Sequence, residues 1–174
     1  MAADLSKLIT KLGLGDHRDF LFGIARPSIE MVTVTTRIAR GCSKFGGSPD
    51  LPISFEWPLH QYGPYRFLGQ VNLGDIPTGS YGLPGRGLLS FFFVHDEDGK
   101  SIFWHKPHYV RVYHFSERDT LRSVKPPAAV RLGSTLRFEL QPGMDVPPKP
   151  WFNDPRTAGW PIGESQNDAY WKLR

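Results

Sequence analysis

Histidine and acidic side chains cluster in the middle of the sequence, where they could hold a metal ion or transfer protons. His95 directly precedes Asp96, and His105 and His108 lie three residues apart. Imidazole and carboxylate groups are ligands of zinc and of harder cations, and histidine also serves as a general acid or base. Pro107 breaks helical geometry between the two later histidines, and no further ligand follows at a diagnostic spacing. A metal-dependent hydrolase or nuclease is therefore an alternative interpretation only.

Nucleophilic catalysis has even less support. Cys42 is the only cysteine, which excludes an internal disulfide, and a Cys–His pair would need spatial proximity that no local motif provides. The sequence contains no Gly-x-Ser-x-Gly elbow. We assign no catalytic residue and no cofactor, and a non-enzymatic protein is favoured over an enzyme.

Positive charge is concentrated in residues 100–137, which hold eight basic and two acidic side chains, while the whole chain has a net charge of +4. Such a segment favours an anionic partner, either an acidic protein surface or nucleic acid, although a solvated sheet face has the same composition. A strand predicted over 109–115 places Tyr109, Arg111 and Tyr113 on one face. That face suits aromatic anchoring of a partner, and no nucleic-acid motif accompanies it.

Two further expectations follow from alternation along the strands of this basic segment. His114 shares the opposite face with Val110 and Val112, so we expect it in the core. A strand over 130–140 is expected to turn Leu136 inward and Arg137 outward, which makes Arg137 a further candidate binding residue.

Amide side chains mark another candidate site, on a strand predicted over 67–73. Gln70 and Asn72 fall on one face, and simple alternation places Leu68 with them and Phe67 opposite. The amides could line a groove for a small ligand or carbohydrate, with Trp57 as a stacking platform. Alternatively they satisfy the backbone of the Gly/Pro-rich loops, with Trp57 closing the edge of the core.

The elements that position these residues predict an α+β fold: a mostly antiparallel β-sheet with a helical N-terminus and long Gly/Pro-rich loops. Residues 5–12 carry a helical apolar stripe, and 16–25 predict a second helical piece. Strands are predicted over 30–39 and 87–94, and residues 101–104 could return as a hairpin partner. Residues 142–174, rich in Pro, Trp and Gly, predict a surface-wrapping tail.

Length and composition limit the protein class. The 174 residues predict a single domain over 1–174, and 13% aromatic content is too high for a disordered chain. No apolar run approaches the roughly 20 residues of a membrane helix, and because Lys7 and Lys11 interrupt the first apolar residues we expect no signal peptide. A lone cysteine fits a reducing compartment, so we expect a cytoplasmic protein with no membrane partner.

A series of motifs resembles a known family. Residues 44–52 read KFGGSPDLP, residues 67–73 read FLGQVNL, and residues 87–92 read GLLSFF. Their order over residues 25–115 resembles the YwqG-like family, a bacterial domain of unknown function. The sequence GWP at 159–161 is similar to a degenerate later motif, so the chain resembles a C-terminally shortened member. The resemblance implies a fold and no established reaction or cofactor.

The glycine pair Gly46–Gly47 in the first of these motifs has a physical interpretation of its own. Two glycines permit positive φ or close backbone approach, and the phosphate-loop alternative lacks its following lysine and helix.

Together these features favour a non-enzymatic intracellular binding module that recognises a protein partner, of regulator or immunity type. The candidate binding residues are Trp57, Gln70, Asn72, Tyr109, Arg111, Tyr113 and Arg137. The identity of the partner and the oligomeric state do not follow from the sequence.

Overall fold

A computed structural model describes residues 2–77, 82–94, 106–116, 119–147 and 155–173 of the chain. It divides the chain into two compact units. Unit 1 comprises Met1–Glu30 with Gln141–Arg174, and unit 2 comprises Met31–Leu140. The candidate histidine–acid cluster is largely outside this description, because His95, Asp96 and His105 fall between residues 94 and 106, as does the predicted hairpin partner at 101–104.

Unit 1 is built around three helices: α1 (Ala2–Lys11), α2 (Arg18–Ile24) and α3 (Asn167–Leu173). The predicted apolar stripe of α1 buries Leu5 and Ile9, because residues four apart lie on one helical face. Tyr170 and Leu173 of α3 are buried in the same cluster. The prediction of a surface-wrapping tail is therefore corrected, since the described end of the chain supplies part of a hydrophobic core.

The described strands are β1 (Arg26–Thr33), β2 (Lys44–Phe45), β3 (Asp50–Pro52), β4 (Leu59–His60), β5 (Gly63–Pro64), β6 (Arg66–Asn72), β7 (Leu88–Phe93), β8 (Val110–Phe115), β9 (Leu121–Ser123) and β10 (Leu136–Asp145). Six of them form the main sheet in the order β1-β10-β2-β6-β7-β8. The unit boundary falls within β1 and β10. Two-stranded sheets pair β3 with β9 and β4 with β5. Short 3-10 turns occupy Gly15–His17, Leu73–Asp75, Pro155–Thr157 and Glu164–Gln166.

The registers of β6, β7 and β8 decide which side chains enter the core of unit 2. From β10 through β2, β6 and β7 to β8, neighbouring strands of the six-stranded sheet pair antiparallel, and Phe92 of β7 lies opposite both Phe67 and Arg111. Between Phe67 and Gly69 the register shifts, which leaves Leu68 as the extra residue of a β-bulge. The bulge corrects the simple alternation: Phe67 is buried on the same side as Gln70, and Leu68 is 46% exposed.

The core of unit 2 lies on the face of the sheet that carries Phe67 and Phe92. Phe92 is fully buried, and Trp57 packs against its ring edge-on with centroids 5.4 Å apart. Leu51 of β3 and the loop residue Phe55 belong to the same cluster. The Gly/Pro-rich passage between β2 and β6 therefore covers one face of the sheet.

Two predicted strands differ from the observed ones. Residues 34–39 have no strand structure, and β10 begins at Leu136 rather than near residue 130. Phe138 is buried as expected, whereas Leu136 is 47% exposed. β10 continues through Pro142 to Asp145, five residues beyond the predicted end of the strand at residue 140.

The helices and antiparallel strands confirm the predicted α+β class. Within the described ranges, no helix is long and apolar enough to cross a membrane.

Candidate functional site

The residues that carry the family resemblance form a buried polar network. Lys44 Nζ donates to Asp50 Oδ2 at 2.8 Å. The same carboxylate oxygen accepts from Gln70 Nε2 at 2.9 Å and from the backbone N–H of Gly41 at 3.0 Å. Because charges and amides in a protein interior need compensating partners, this network holds the loop between β2 and β3 in one conformation.

Gln70 is the centre of this network and has no free polar atom. Its Oε1 accepts from Asp50 N at 2.9 Å, and its Nε2 also donates to Cys42 O at 2.8 Å. The side chain is 1% exposed. Gln70 therefore has the structural role that the sequence left open, satisfying loop backbone, and cannot meet a ligand without rearrangement.

The side chains of Trp57 and Asn72 have hydrogen-bond partners outside the network around Gln70. The indole N–H of Trp57 donates to Tyr65 O at 2.8 Å, so Trp57 closes the edge of the core. Asn72 Oδ1 accepts from Gly74 N at 2.9 Å and caps the 3-10 turn that follows. The three residues do not converge into one exposed pocket, which the carbohydrate alternative requires.

Asn72 does line a cavity of about 410 Å³ at the end of β6 and β7. Its other walls include Arg86, Asp119 and the glycines at 74, 85 and 87. Charges of both signs border this cavity, so it has no clear electrostatic preference for one ligand.

A second cavity, of about 480 Å³, is bordered by charged side chains of one sign among the described residues. Basic or titratable nitrogen groups come to it from three places: His60 on β4, Lys106 and His108 before β8, and Arg111 on β8. Its remaining described lining consists of Leu59, Gln61, Tyr62 and Pro107. None of these lining residues is acidic, so the site favours an anionic group.

Arg111 is held in place although its guanidinium is exposed. Its Cζ lies 5.0 Å from the centroid of the Tyr65 ring, and Nη1 donates to Tyr113 Oη at 3.5 Å. The hydrogen bond to Tyr113, followed by contacts with Tyr65, raises the pKa of Arg111 above its ordinary value. A cation supported by two aromatic side chains loses less conformational freedom when it binds an anion.

Tyr65 also fixes the loop that carries His108. Tyr65 is fully buried, and its hydroxyl donates to His108 O at 2.6 Å. His108 has φ of 66°, in the left-handed region that histidine enters more often than most residues. The aromatic side chain that supports Arg111 therefore also positions the backbone beside it.

The predicted orientation of β8 is wrong: the face with the two tyrosines packs against the core, and the face with His114 is exposed. Tyr113 is half-buried, with its ring 4.9 Å from Phe55, and Tyr109 also packs against the core of unit 2. His114, expected in the core, is exposed, and its ring nitrogen Nε2 lies 3.1 Å from Arg86 O. Within the Tyr-Arg-Tyr face, Arg111 is thus exposed, whereas the two tyrosines are partly buried.

Arg137 does not lie near Arg111 in the structure. Its strand, β10, is separated from β8 by three strands, a distance of roughly 19 Å at the usual spacing. Arg137 Nη1 donates to Arg37 O at 2.8 Å, and its Nε is buried with no partner in the described part of the chain. The structure therefore separates the two arginines that the sequence analysis grouped.

The described residues include no group of three or more His, Cys, Asp or Glu side chains able to hold a metal ion. Only His108 of the four metal candidates is described, and it borders the basic cavity with His60. No spacing signal connects His60 or Tyr65 with Arg111, because both lie more than 40 residues before it and are brought to it by the fold. Lys106 belongs to the basic segment already recognised in the sequence.

Comparison with known proteins gives a family and no function. A family model described as Domain of unknown function (DUF1963) matches residues 43–164. No curated protein matches the chain. The matched range begins at the buried Lys44–Asp50 network and includes the basic cavity.

Proposed function

The chain belongs to the DUF1963 family, a domain of unknown function, and we propose that it is a non-enzymatic binding module that recognises an acidic protein partner at the basic cavity. Within that family it is of YwqG-like type, a bacterial cytoplasmic protein that acts as a regulator or an immunity-type partner. The observation that carries the proposal is the convergence of Lys106, Arg111, His60 and His108 on a cavity whose described lining has no acidic residue.

A protein partner fits this site better than nucleic acid. Non-specific binding of single strands relies on exposed aromatic platforms beside a basic groove. Here Tyr109 and Tyr113 pack into the core of unit 2, and the cations surround one cavity of about 480 Å³. A cavity of that size accommodates one or two acidic side chains.

The proposal also fits the role of the family motif. Lys44, Asp50 and Gln70 are buried and bonded to each other, so they stabilise the loops and leave recognition to the surface around Arg111. The hydrolase alternative depends on His95, Asp96 and His105, which lie outside the described residues.

Binding of acidic probes tests the proposal. We expect a glutamate-rich synthetic peptide to bind the full chain in titration calorimetry, and Arg111→Glu to weaken binding by about tenfold or more. Added salt weakens binding further, because exposed charges are screened. Arg131→Glu is the matched control, since it makes the same charge change at an exposed residue outside the cavity.

Two results would contradict the proposal. Equal losses for Arg111→Glu and Arg131→Glu would mean that net charge alone attracts the peptide. Tighter binding of an oligothymidylate of equal charge, with the same dependence on Arg111, would identify nucleic acid as the partner class.

A further inference from the structure

β8 is the last strand of the six-stranded sheet and pairs only with β7 among the described strands. The backbone N–H of Val94 donates to Tyr109 O at 2.9 Å, so the odd-numbered residues of this strand direct their backbone groups toward β7. By alternation, Val110, Val112 and His114 direct their N–H and C=O groups away from β7. β8 therefore presents three residues with outward backbone hydrogen-bonding groups.

The two faces beside this edge have different chemistry. Val110 and Val112 are 48% and 51% exposed on one face, continuous with half-buried Phe91 and Phe93 of β7. On the other face, Arg111 stands at the basic cavity. An added strand along this edge would therefore contact Val110 and Val112 on one face and the guanidinium of Arg111 on the other.

We propose that the partner binds by strand addition: an extended acidic segment pairs antiparallel with the free edge of β8. A carboxylate opposite Arg111 reaches the guanidinium, and apolar residues on either side of it rest on Val110 and Val112. Backbone hydrogen bonds supply affinity, and the alternating acidic and apolar side chains supply specificity. This inference rests on the proposed function and specifies the shape and sequence pattern of its partner.

Charge decides between an acidic segment and a second copy of the chain. Val110–Phe115 reads VRVYHF, which contains no acidic residue. A second β8 cannot offer Arg111 a carboxylate, whereas opposite charges facing each other across a strand pair stabilise it. The edge is therefore complementary to a different, acidic strand.

A designed peptide tests the mode of binding on the full chain. The probe is acetyl-Thr-Val-Glu-Val-Glu-Val-Thr-amide, compared with the same peptide carrying N-methyl groups on its valines. Both have equal charge, and only the first can donate its valine N–H groups to the outward carbonyl groups of β8. We expect the methylated peptide to bind about tenfold more weakly or worse in titration calorimetry.

A backbone variant of the protein gives a second, independent test. Val112→Pro removes an N–H that points away from β7, and edge strands tolerate proline at such positions. We expect Val112→Pro to lower the affinity for the unmethylated peptide about tenfold, while thermal unfolding shows that the fold is intact. Val112→Thr keeps the N–H and a β-branched side chain, so its effect measures the side-chain contribution alone, and Val112→Pro should weaken binding well beyond it.

The outcomes separate this inference from the proposed function. If both peptides bind equally and Arg111→Gln weakens both, the acidic site stands and strand addition is wrong. If neither peptide binds, the proposed function fails with it. Amide exchange checks the free edge: slow exchange at Val110, Val112 and His114 without peptide, or a dimer in sedimentation, would show that the edge is already occupied and overturn strand addition.

Discussion

Lys44 Nζ lies 2.8 Å from Asp50 Oδ2 in the interior of unit 2, where the two side chains are only 5% and 4% exposed. The carboxylate has further donors in Gln70 and Gly41, whereas Asp50 is the one acidic partner of the ammonium group among the described residues. Such a pair is sensitive to the loss of either member, because the remaining charge stays buried without compensation.

Lys44→Met is therefore expected to lower the free energy of unfolding by about 3 kcal/mol, at the lower end for a broken buried pair because Asp50 keeps two donors. Urea denaturation followed by fluorescence measures this free energy of unfolding. Lys125→Met, at an exposed lysine, is the control and should change stability by less than about 0.5 kcal/mol. Similar effects of the two changes would show that the pair contributes little.

The glycine pair predicts a backbone effect. Gly46 and Gly47 have φ of 61° and 63°, and a Cβ on Gly46 would overlap the carbonyl oxygen of Ser134. Gly46→Ala should destabilise the fold by about 2 kcal/mol or more, since both the left-handed backbone and the contact oppose a side chain.

Gly15→Ala serves as the control for this prediction in thermal unfolding. Gly15 does not have positive φ, and an added Cβ meets nothing within 4 Å. A small effect at Gly46, comparable with that at Gly15, would mean that the loop adapts at little energetic cost.

Two buried serines are expected to respond in opposite directions to the same change. Ser43 Oγ accepts from Asn72 N at 2.9 Å, whereas Ser90 Oγ has no hydrogen-bond partner among the described residues. Ser43→Ala should destabilise by about 1 kcal/mol, and Ser90→Ala should be neutral or stabilising by a similar amount. Melting temperatures compared under one condition are sufficient, and a loss at Ser90 as large as that at Ser43 would contradict the assignment.

Adjacent phenylalanines of β7 test which face of the sheet is the core. Phe92 is fully buried, and Phe91 is half-buried on the opposite face. Phe92→Ala should lower the free energy of unfolding by about 3–5 kcal/mol. Phe91→Ala should lower it clearly less, because a half-buried ring loses fewer contacts. Equal losses of unfolding free energy in chemical denaturation would mean that both residues lie in a core. The sheet face that carries Val112 would then be buried as well.

Local sequence pattern determined much of the fold. The i, i+3, i+4 spacing of Leu5, Leu8 and Ile9 predicted α1, and the strand-like composition of residues 67–73 and 87–94 predicted β6 and β7 to within one residue at each end. These elements depend on interactions between near neighbours in the chain. The exposure of Arg111 and the special backbone at Gly46 and Gly47 also followed from residue type and alternation.

Tertiary structure alone decided the rest. A one-residue bulge at Leu68 moved Phe67 to the face of Gln70, because a register shift reverses alternation. Alternation identifies two faces of β8 without telling which is buried, so Tyr113 and His114 were placed the wrong way round. The basic cavity joins His60 to Arg111 across many residues, and the sheet order separates Arg137 from both. Such proximities depend on strand order and long-range packing, which local spacing does not encode.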